Sequence, residues 1–298
     1  MKRCIAFICV LLMLCGSSAC GGASWENDPR PLVVCTVFPA YDFVREVAGD
    51  LVNAVLLTNN GADMHSYSPS AGDIAAVKSA DLFLYVGGAS DKWATDVIEK
   101  GALALPLTAM VNDAHKDHDH AEEEHVWLSL RNAQTIVDHT VQALCRILPD
   151  KTTDLYAMGN AYKAKLASLD AAYGQIVSSA KRHAVVLADR YPFRHLFEDY
   201  GIVCYAAFDG CSSETQASFD TVAALSGYVT SLQLPAVLKL DDSDGSLADA
   251  VRRAAGKKDL PVLTLHAIQS VSKTQLDQGV TYLSLMSQNL TILQEALC

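Results

Sequence analysis

The sequence predicts an α/β protein with two lobes of mainly parallel β-sheet, bridged by one long rigid helix. Short apolar runs alternate with helical stretches in both halves of the chain, a pattern typical of βα repeats. The middle of the chain, from about Lys151 to Arg182, carries no strand signal. The chain has 298 residues, and two lobes are expected because a single core seldom grows beyond about 250–300 residues.

Four apolar runs in each half are expected to form strands. They are Leu32–Phe38, Val52–Leu57, Asp81–Val86 and Leu103–Leu107, followed by Ala184–Ala188, Ile202–Phe208, Ala236–Leu240 and Pro261–Leu265. Helices are predicted at Ser218–Ser231, Ser246–Ala254 and Thr281–Leu297. Between the halves, apolar residues recur at helical spacing from Leu155 to Leu169. We therefore expect an N-terminal lobe at 31–150, a linker helix at 151–182 and a C-terminal lobe at 183–298.

The first twenty residues are typical of an export signal. Lys2 and Arg3 precede an apolar run of about a dozen residues, which is shorter than the roughly 20 that a membrane-spanning helix needs. Small residues then lead into Cys20, as in a bacterial lipobox. The pattern predicts a signal peptide at 1–19, a lipid-anchored tether at 20–30 that begins with acylated Cys20, and attachment to the outer face of the cell membrane, in a periplasm or at the cell surface. An ordinary signal cleaved near Ala19 is the alternative.

Composition excludes some partners. The formal net charge is −11, and no basic stripe is present that could neutralise phosphates, so nucleic acid is not an expected partner. Six cysteines follow the predicted signal peptide, and none belongs to a CxxC pair. We therefore expect the cysteines to be structural, and their pairing does not follow from their spacing.

The segment from His115 to Trp127, HKDHDHAEEEHVW, is the densest set of metal-binding side chains in the chain. Four of the nine histidines lie within eleven residues, together with five carboxylates. Such a pattern on an exported chain favours capture of a divalent metal. We expect a His-rich loop at 112–125 in which His115, His118 and His120 recruit ions weakly. The alternative is a solvated insertion with no binding role.

Two isolated histidines follow predicted strands. His65 lies in the loop after the second strand, and His266 directly follows the last one. Ligands of open α/β sheets gather at the carboxyl ends of strands, in the crevice where loops converge. With His125 at the end of the His-rich loop, these histidines indicate a site to which both lobes contribute.

At these motifs the chain resembles the bacterial zinc and manganese solute-binding lipoproteins of ABC importers. The resemblance covers nearly the whole chain after the signal. Its motifs are Val37–Asp42, Gly61–Pro69, Ala80–Gly88, Ser90–Trp93, the His-rich loop, His125–Ser129 and Tyr282–Asn289. It implies two α/β lobes bridged by a rigid helix, one metal in the cleft between the lobes, and docking onto a membrane permease with ATPase subunits.

Residue by residue, the resemblance implies that His65 and His125 are the two metal ligands of the N-terminal lobe. The family position that is often a third histidine falls on Arg190. A guanidinium has no lone pair with which to ligate a cation. Asp189 could supply an oxygen instead, or Arg190 could pair with it.

The remaining candidates lie in the C-terminal lobe. His266 aligns with the fourth family position, which is acidic in many members, and the expected site is His65, His125 and His266 with Asp189 or a water completing the shell. His195 is an alternative ligand in the first turn of a predicted helix. Glu214 lies in a family-like segment, where it is expected to brace a loop or face the permease.

Three imidazoles with one carboxylate or water suit tetrahedral zinc, whereas manganese prefers more oxygen ligands. The sequence therefore predicts a monomeric, extracytoplasmic, non-enzymatic receptor that captures Zn²⁺ and delivers it to an ABC permease. A manganese receptor of the same family is one alternative. A zinc-dependent hydrolase is another, although the sequence contains neither HExxH nor GxSxG. Adhesion is a possible additional role of a surface lipoprotein. No nucleotide-binding loop is present, so ATP hydrolysis is expected to reside in a partner.

Overall fold

Two four-stranded parallel sheets form the framework of the protein. A computed structural model describes residues 25–58, 61–111, 123–210 and 217–298. The strands are β1 (Leu32–Cys35), β2 (Asn53–Leu56), β3 (Leu82–Tyr85), β4 (Ala104–Pro106), β5 (Ala184–Leu187), β6 (Val203–Ala206), β7 (Val237–Leu240) and β8 (Val262–Leu265). The sheet orders are β2-β1-β3-β4 and β6-β5-β7-β8, so the two lobes repeat one topology.

Helices cover and connect the sheets. They are α1 (Phe38–Ala48), α2 (Ala71–Ser79), α3 (Ala94–Val97), α4 (Leu107–Met110), α5 (Leu130–Ile147), α6 (Thr152–Ser179), α7 (Arg194–Tyr200), α8 (Phe219–Ser231), α9 (Ser246–Ala254), α10 (Lys273–Asp277) and α11 (Tyr282–Leu297). Short 3₁₀ turns lie at Gly49–Leu51, Val126–Leu128 and Pro149–Lys151. Within the described residues, no helix has both the length and the apolar composition that crossing a bilayer requires.

The predicted fold class is confirmed, and each of the eight predicted strands contains an observed one. The predicted runs are longer than the strands because buried apolar residues continue into the next element. Val37 and Phe38, for example, are fully buried, but Phe38 already begins α1. Pro39 in the first turn of α1 presets the helical φ angle and lacks only an N–H that the helix would leave unpaired.

The long helix α6 has 28 residues and occupies the position at which the sequence predicts a linker. One face of it buries Leu155, Tyr162, Leu166 and Tyr173. Gly159 permits close approach to α5, because a Cβ atom there would lie 2.5 Å from Cγ2 of Val141. The helix is therefore packed along its length and is not a free tether between the lobes.

One continuous hydrophobic core spans both lobes. It contains Phe43 of α1, Tyr173 of α6, Leu187 of β5 and Tyr282 of α11. Two smaller clusters cover the outer faces of the N-terminal and C-terminal sheets. Because the central core is shared, the two lobes are fused by apolar packing, and a rigid relation between them follows from the burial of that surface.

Polar contacts between the lobes reinforce the shared core. The Trp127 indole Nε1 donates to the carbonyl oxygen of Ala267 at 3.0 Å. The backbone N–H of Phe38 donates to the carbonyl of Gln269 at 3.1 Å. The Ser129 hydroxyl donates to Asp199 at 2.6 Å. Each joins a residue that precedes the long helix to one that follows it.

A buried carboxylate, Asp42 of α1, meets the first turn of the last helix. Its side chain is 1% exposed, and Oδ2 accepts the backbone N–H of Tyr282 at 2.7 Å. An anion at a helix N-terminus is favourable because the first N–H groups lack partners within the helix. Burial nevertheless raises the pKa of Asp42 to about 6, against the lowering effects of the Tyr282 N–H and of Arg45.

Asp42→Asn is expected to change how stability depends on pH. Because the pKa of Asp42 is higher in the folded chain than in an unfolded one, the ionised carboxylate destabilises the fold above pH 6, and this penalty disappears as pH falls toward about 4. Asparagine still accepts the Tyr282 N–H, so the variant should gain up to about 2 kcal/mol relative to wild type between pH 4 and pH 7. Urea unfolding at both pH values measures this difference. The exposed Asp50, changed to Asn, is the control, and an equal response of both variants would contradict the assignment.

Candidate metal site

A small pocket lies between the lobes, where the carboxyl ends of the strands of both sheets meet. Its lining residues come from both lobes and are His65, His125, Arg190, Pro192, Leu240, Ala267 and Gln269. His65 lies in the loop after β2, and His125 immediately precedes the 3₁₀ turn at Val126–Leu128. The structure thus brings two of the sequence-predicted ligands into one pocket.

Both pocket histidines belong to the same local motif, in which an acid lies two residues earlier. The Asp63 carboxylate accepts the backbone N–H of His65 at 2.9 Å, and the Glu123 carboxylate accepts that of His125 at 3.0 Å. Such side-chain to backbone bonds fix a turn without regular secondary structure. The acid-x-His spacing therefore sets the direction of each imidazole.

The imidazoles of His65 and His125 are neighbours, with ring centroids 5.4 Å apart and ring planes tilted by 50°. Nδ1 of His125 lies 2.6 Å from the Glu123 carboxylate. Burial would raise the pKa of Glu123, but the contacts with His125 outweigh it and lower the pKa. An ionised carboxylate only accepts hydrogen bonds, so Nδ1 carries the hydrogen and the neutral tautomer has its lone pair on Nε2.

His65 is held in a different way. Burial and the neighbouring His125 lower the pKa of His65 below its usual value, which favours the neutral imidazole that can ligate a metal. Its Nε2 atom is buried and has no hydrogen-bond partner. A buried polar atom without a partner is costly, and a cation bound between the two rings would satisfy it.

His266 directly follows β8 and has a carboxylate partner as well. Its Nδ1 lies 3.4 Å from Asp241 Oδ2. The backbone N–H and carbonyl of His266 both bond to the buried side chain of Asn289 on α11, at 2.8 and 2.9 Å. Its position is thus fixed by the last helix. The pocket that contains His65 and His125 is lined by the next residue, Ala267, and not by His266.

Asp189 and His195 lie close to the pocket but bond to the backbone. Asp189 Oδ1 accepts the N–H of Arg190 at 2.9 Å, and Oδ2 accepts that of Leu240 at 3.3 Å. The Nε2 atom of His195, on α7, lies 3.2 Å from the carbonyl oxygen of Glu123. His195 therefore braces the segment that carries His125.

Arg190 occupies the pocket and connects the two lobes. Its Nη1 donates to Asp63 Oδ2 of the N-terminal lobe at 3.1 Å. Its Nη2 donates to Asp242 Oδ2, which follows β7, at 2.7 Å. The predicted partner, Asp189, accepts a hydrogen bond from the backbone N–H of Arg190.

No three histidine, cysteine, aspartate or glutamate side chains converge in metal-binding geometry within the part of the chain that the structure describes. The described histidines form one close pair, His65 with His125, while His266 pairs with Asp241. Cys20, His115, His118, His120 and Glu214 lie outside the described residues.

Sequence reasoning missed the carboxylates that orient the histidines. Glu123 lies within the His-rich segment, and the sequence alone does not distinguish it from the other four acids there. The usable signal is the repeated spacing of Asp63 to His65 and Glu123 to His125. Asp241 and Asp242 directly follow β7, and strand pairing alone brings them near His266, because β7 pairs with β8.

Comparisons with known proteins place the chain in a family. The zinc-binding lipoprotein AdcA of Streptococcus pneumoniae is 29% identical over 308 aligned positions, which cover 98% of this chain and 60% of that protein. The high-affinity zinc uptake system protein ZnuA of Bacillus subtilis is 26% identical, with 98% of this chain and 96% of that protein covered. The chain thus spans about 60% of the AdcA relative's length.

Solved structures agree with the sequence comparison. The Zn(II)-bound ZnuA-like domain of Streptococcus pneumoniae AdcA superposes with a TM-score of 0.76 at 28% identity, covering 90% of this chain and 99% of that one. The periplasmic zinc-binding protein TroA of Treponema pallidum, at 23% identity and a TM-score of 0.78, shares the fold. The family described as zinc-uptake complex component A, periplasmic, matches residues 33–296. The chain therefore belongs to this family.

Proposed function

We propose that this chain is an extracytoplasmic receptor that captures Zn²⁺ between its lobes. The observation that carries the proposal is the adjacent pair of His65 and His125, with His65 Nε2 buried and without a hydrogen-bond partner. Imidazole nitrogen is a preferred zinc donor at about 2.0–2.1 Å. The zinc-binding names of the related proteins support the choice of metal.

His266 and Asp189 are the proposed donors from the C-terminal lobe. With Nδ1 of His266 facing Asp241, Nε2 is the nitrogen suited to ligation, as in other carboxylate–histidine–metal arrangements. A carboxylate can accept several interactions, so the two backbone bonds of Asp189 leave lone pairs for a cation. These donors complete the two-histidine set of the N-terminal lobe, with a water as the alternative to Asp189.

The proposed partners are an ABC permease and its ATPase subunits, which would take the ion from a monomeric receptor. Acylation of Cys20 would hold the receptor at the outer face of the membrane, where the permease is. His115, His118 and His120 would raise the local zinc concentration. Membership in a solute-binding family and the relatives named as uptake-system components support this role over catalysis.

The test is metal binding by the purified chain after treatment with a chelator. Calorimetric titration is expected to give one tight zinc site per chain and weaker binding of Mn²⁺. His266→Ala and Asp189→Ala should each weaken zinc binding if they supply donors. Absence of any tight zinc site would refute the receptor proposal. Tight binding that is unchanged in both variants would restrict the site to other donors of the C-terminal lobe, with His195 tested next.

A further inference from the structure

The cleft contains a fixed positive charge that the receptor role alone does not explain. Arg190 lines the pocket together with His65 and His125, and its side chain is only 22% exposed. An arginine in a cation-binding pocket repels the ion and donates no lone pair. Its retention there calls for a function that a neutral side chain would not perform.

The guanidinium pairs with one carboxylate from each lobe. One nitrogen bonds to Asp63, which lies two residues before His65, and the other bonds to Asp242 after β7. Asp63 has further donors, since its Oδ1 accepts the N–H of His65 at 2.9 Å and the side-chain amide of Gln269 at 3.4 Å. Asp63 therefore accepts three hydrogen bonds, from donors of both lobes.

This arrangement distinguishes the two kinds of metal donor, because Arg190 bonds to carboxylate oxygens and not to imidazole nitrogens. Carboxylate and other oxygen ligands suit Mn²⁺, Mg²⁺ and Ca²⁺, whereas imidazole suits Zn²⁺. While Arg190 holds Asp63 and Asp242, an ion entering the pocket meets imidazoles and two acids that share one guanidinium charge. Without Arg190, both carboxylates would lose the cation that pairs them beside the pocket.

We propose that Arg190 is a specificity-determining residue of the cleft, which withholds Asp63 and Asp242 from the bound ion and thereby selects against cations that prefer oxygen ligands. This inference rests on the proposed zinc-receptor function. Arg190 acts here through the two carboxylates and does not touch the metal. Lysine would replace it poorly, because a single ammonium group does not reproduce the planar fork that bridges two acids.

The experiment compares Zn²⁺ and Mn²⁺ affinities, each metal titrated alone, in wild type and in Arg190→Gln. Manganese affinity is expected to rise at least about tenfold, with a smaller change for zinc, so that the preference for zinc falls. Arg190→Lys should give an intermediate preference. Adding Asp242→Asn to Arg190→Gln should remove much of the manganese gain, because it deletes one of the released carboxylates.

Arg194→Gln is the matched control, since Arg194 pairs with Glu198 on α7 and does not line the pocket. A zinc-to-manganese preference that stays within about twofold of wild type in a folded Arg190→Gln variant overturns the inference. If that variant does not fold, as judged by circular dichroism, the zinc-to-manganese preference of Arg190→Lys is compared with wild type against the same limit. A wild-type chain without a tight zinc site would instead refute the proposed function, so the two failures are distinguishable.

Discussion

Replacing His125 or His65 by alanine is expected to lower zinc affinity by at least about a hundredfold, the largest functional effect of any single substitution in the chain. The two imidazoles lie 5.4 Å apart between ring centroids, so each variant would remove one of two adjacent nitrogen donors. Calorimetric titration of the chelator-treated variants measures the loss. Thermal unfolding without metal, monitored in parallel, separates lost ligation from lost folding.

The two histidines also allow a graded test. Glu123→Ala removes the carboxylate that faces His125 Nδ1 at 2.6 Å and should cost about 10–100-fold in affinity, because an unoriented imidazole binds less well. Glu123→Gln keeps an acceptor oxygen and should cost less. His183→Ala is the control, because His183 is exposed on the surface just before β5. Equal zinc affinity in wild type and His125→Ala would contradict the assignment of the histidine pair to the zinc site.

Local patterns were sufficient to predict the strands and the long helix. The run at Ala184–Ala188 is apolar and β-branched, and it contains the buried strand β5. The long helix follows from apolar spacing alone, since its buried residues Leu155, Tyr162 and Leu166 lie on one face. These elements are predictable because the residues that show their burial pattern are close together in the sequence.

The site itself depends on contacts between distant residues, which no local pattern reveals. Arg190 meets Asp63 from 127 positions away, and Gln269 reaches the same carboxylate from 206 positions away. Both contacts require the β5 and β8 loops to meet the β2 loop. From the sequence, Arg190 is a residue that cannot ligate a metal and whose suggested partner is Asp189. Its acidic partners are instead Asp242 of the same lobe and Asp63 of the other.

The assembly of the lobes centres on Trp127, whose position links the site to the core. Its side chain is fully buried, its Nε1 donates to Ala267 of the opposite lobe, and its backbone carbonyl accepts the Tyr282 hydroxyl. The His125 ring lies edge-on to the indole, with centroids 5.1 Å apart. Trp127 therefore supports both the interlobe contact and the direction of one proposed ligand.

Trp127→Ala is expected to be the most destabilising single change, at about 3–5 kcal/mol, because it removes a large buried ring from the core. For a chain of this size, each kcal/mol corresponds to about 2–4 °C, so the melting temperature without metal should fall by about 10 °C. Zinc affinity should fall with it, since the His125 ring loses the indole surface against which it packs. Scanning calorimetry with and without zinc measures both effects.

Trp127→Phe tests the hydrogen bond between the lobes apart from the bulk of the ring. Phenylalanine keeps most of the apolar contact but leaves the Ala267 carbonyl without its donor, at a cost of about 1–3 kcal/mol. Trp93→Phe is the matched control, because Trp93 packs in the outer cluster of the N-terminal lobe and its Nε1 has no hydrogen-bond partner. The Trp127 variant should therefore be the less stable of the two. Equal losses would mean that the indole joins the lobes only by packing, and the bond to Ala267 would then contribute nothing measurable.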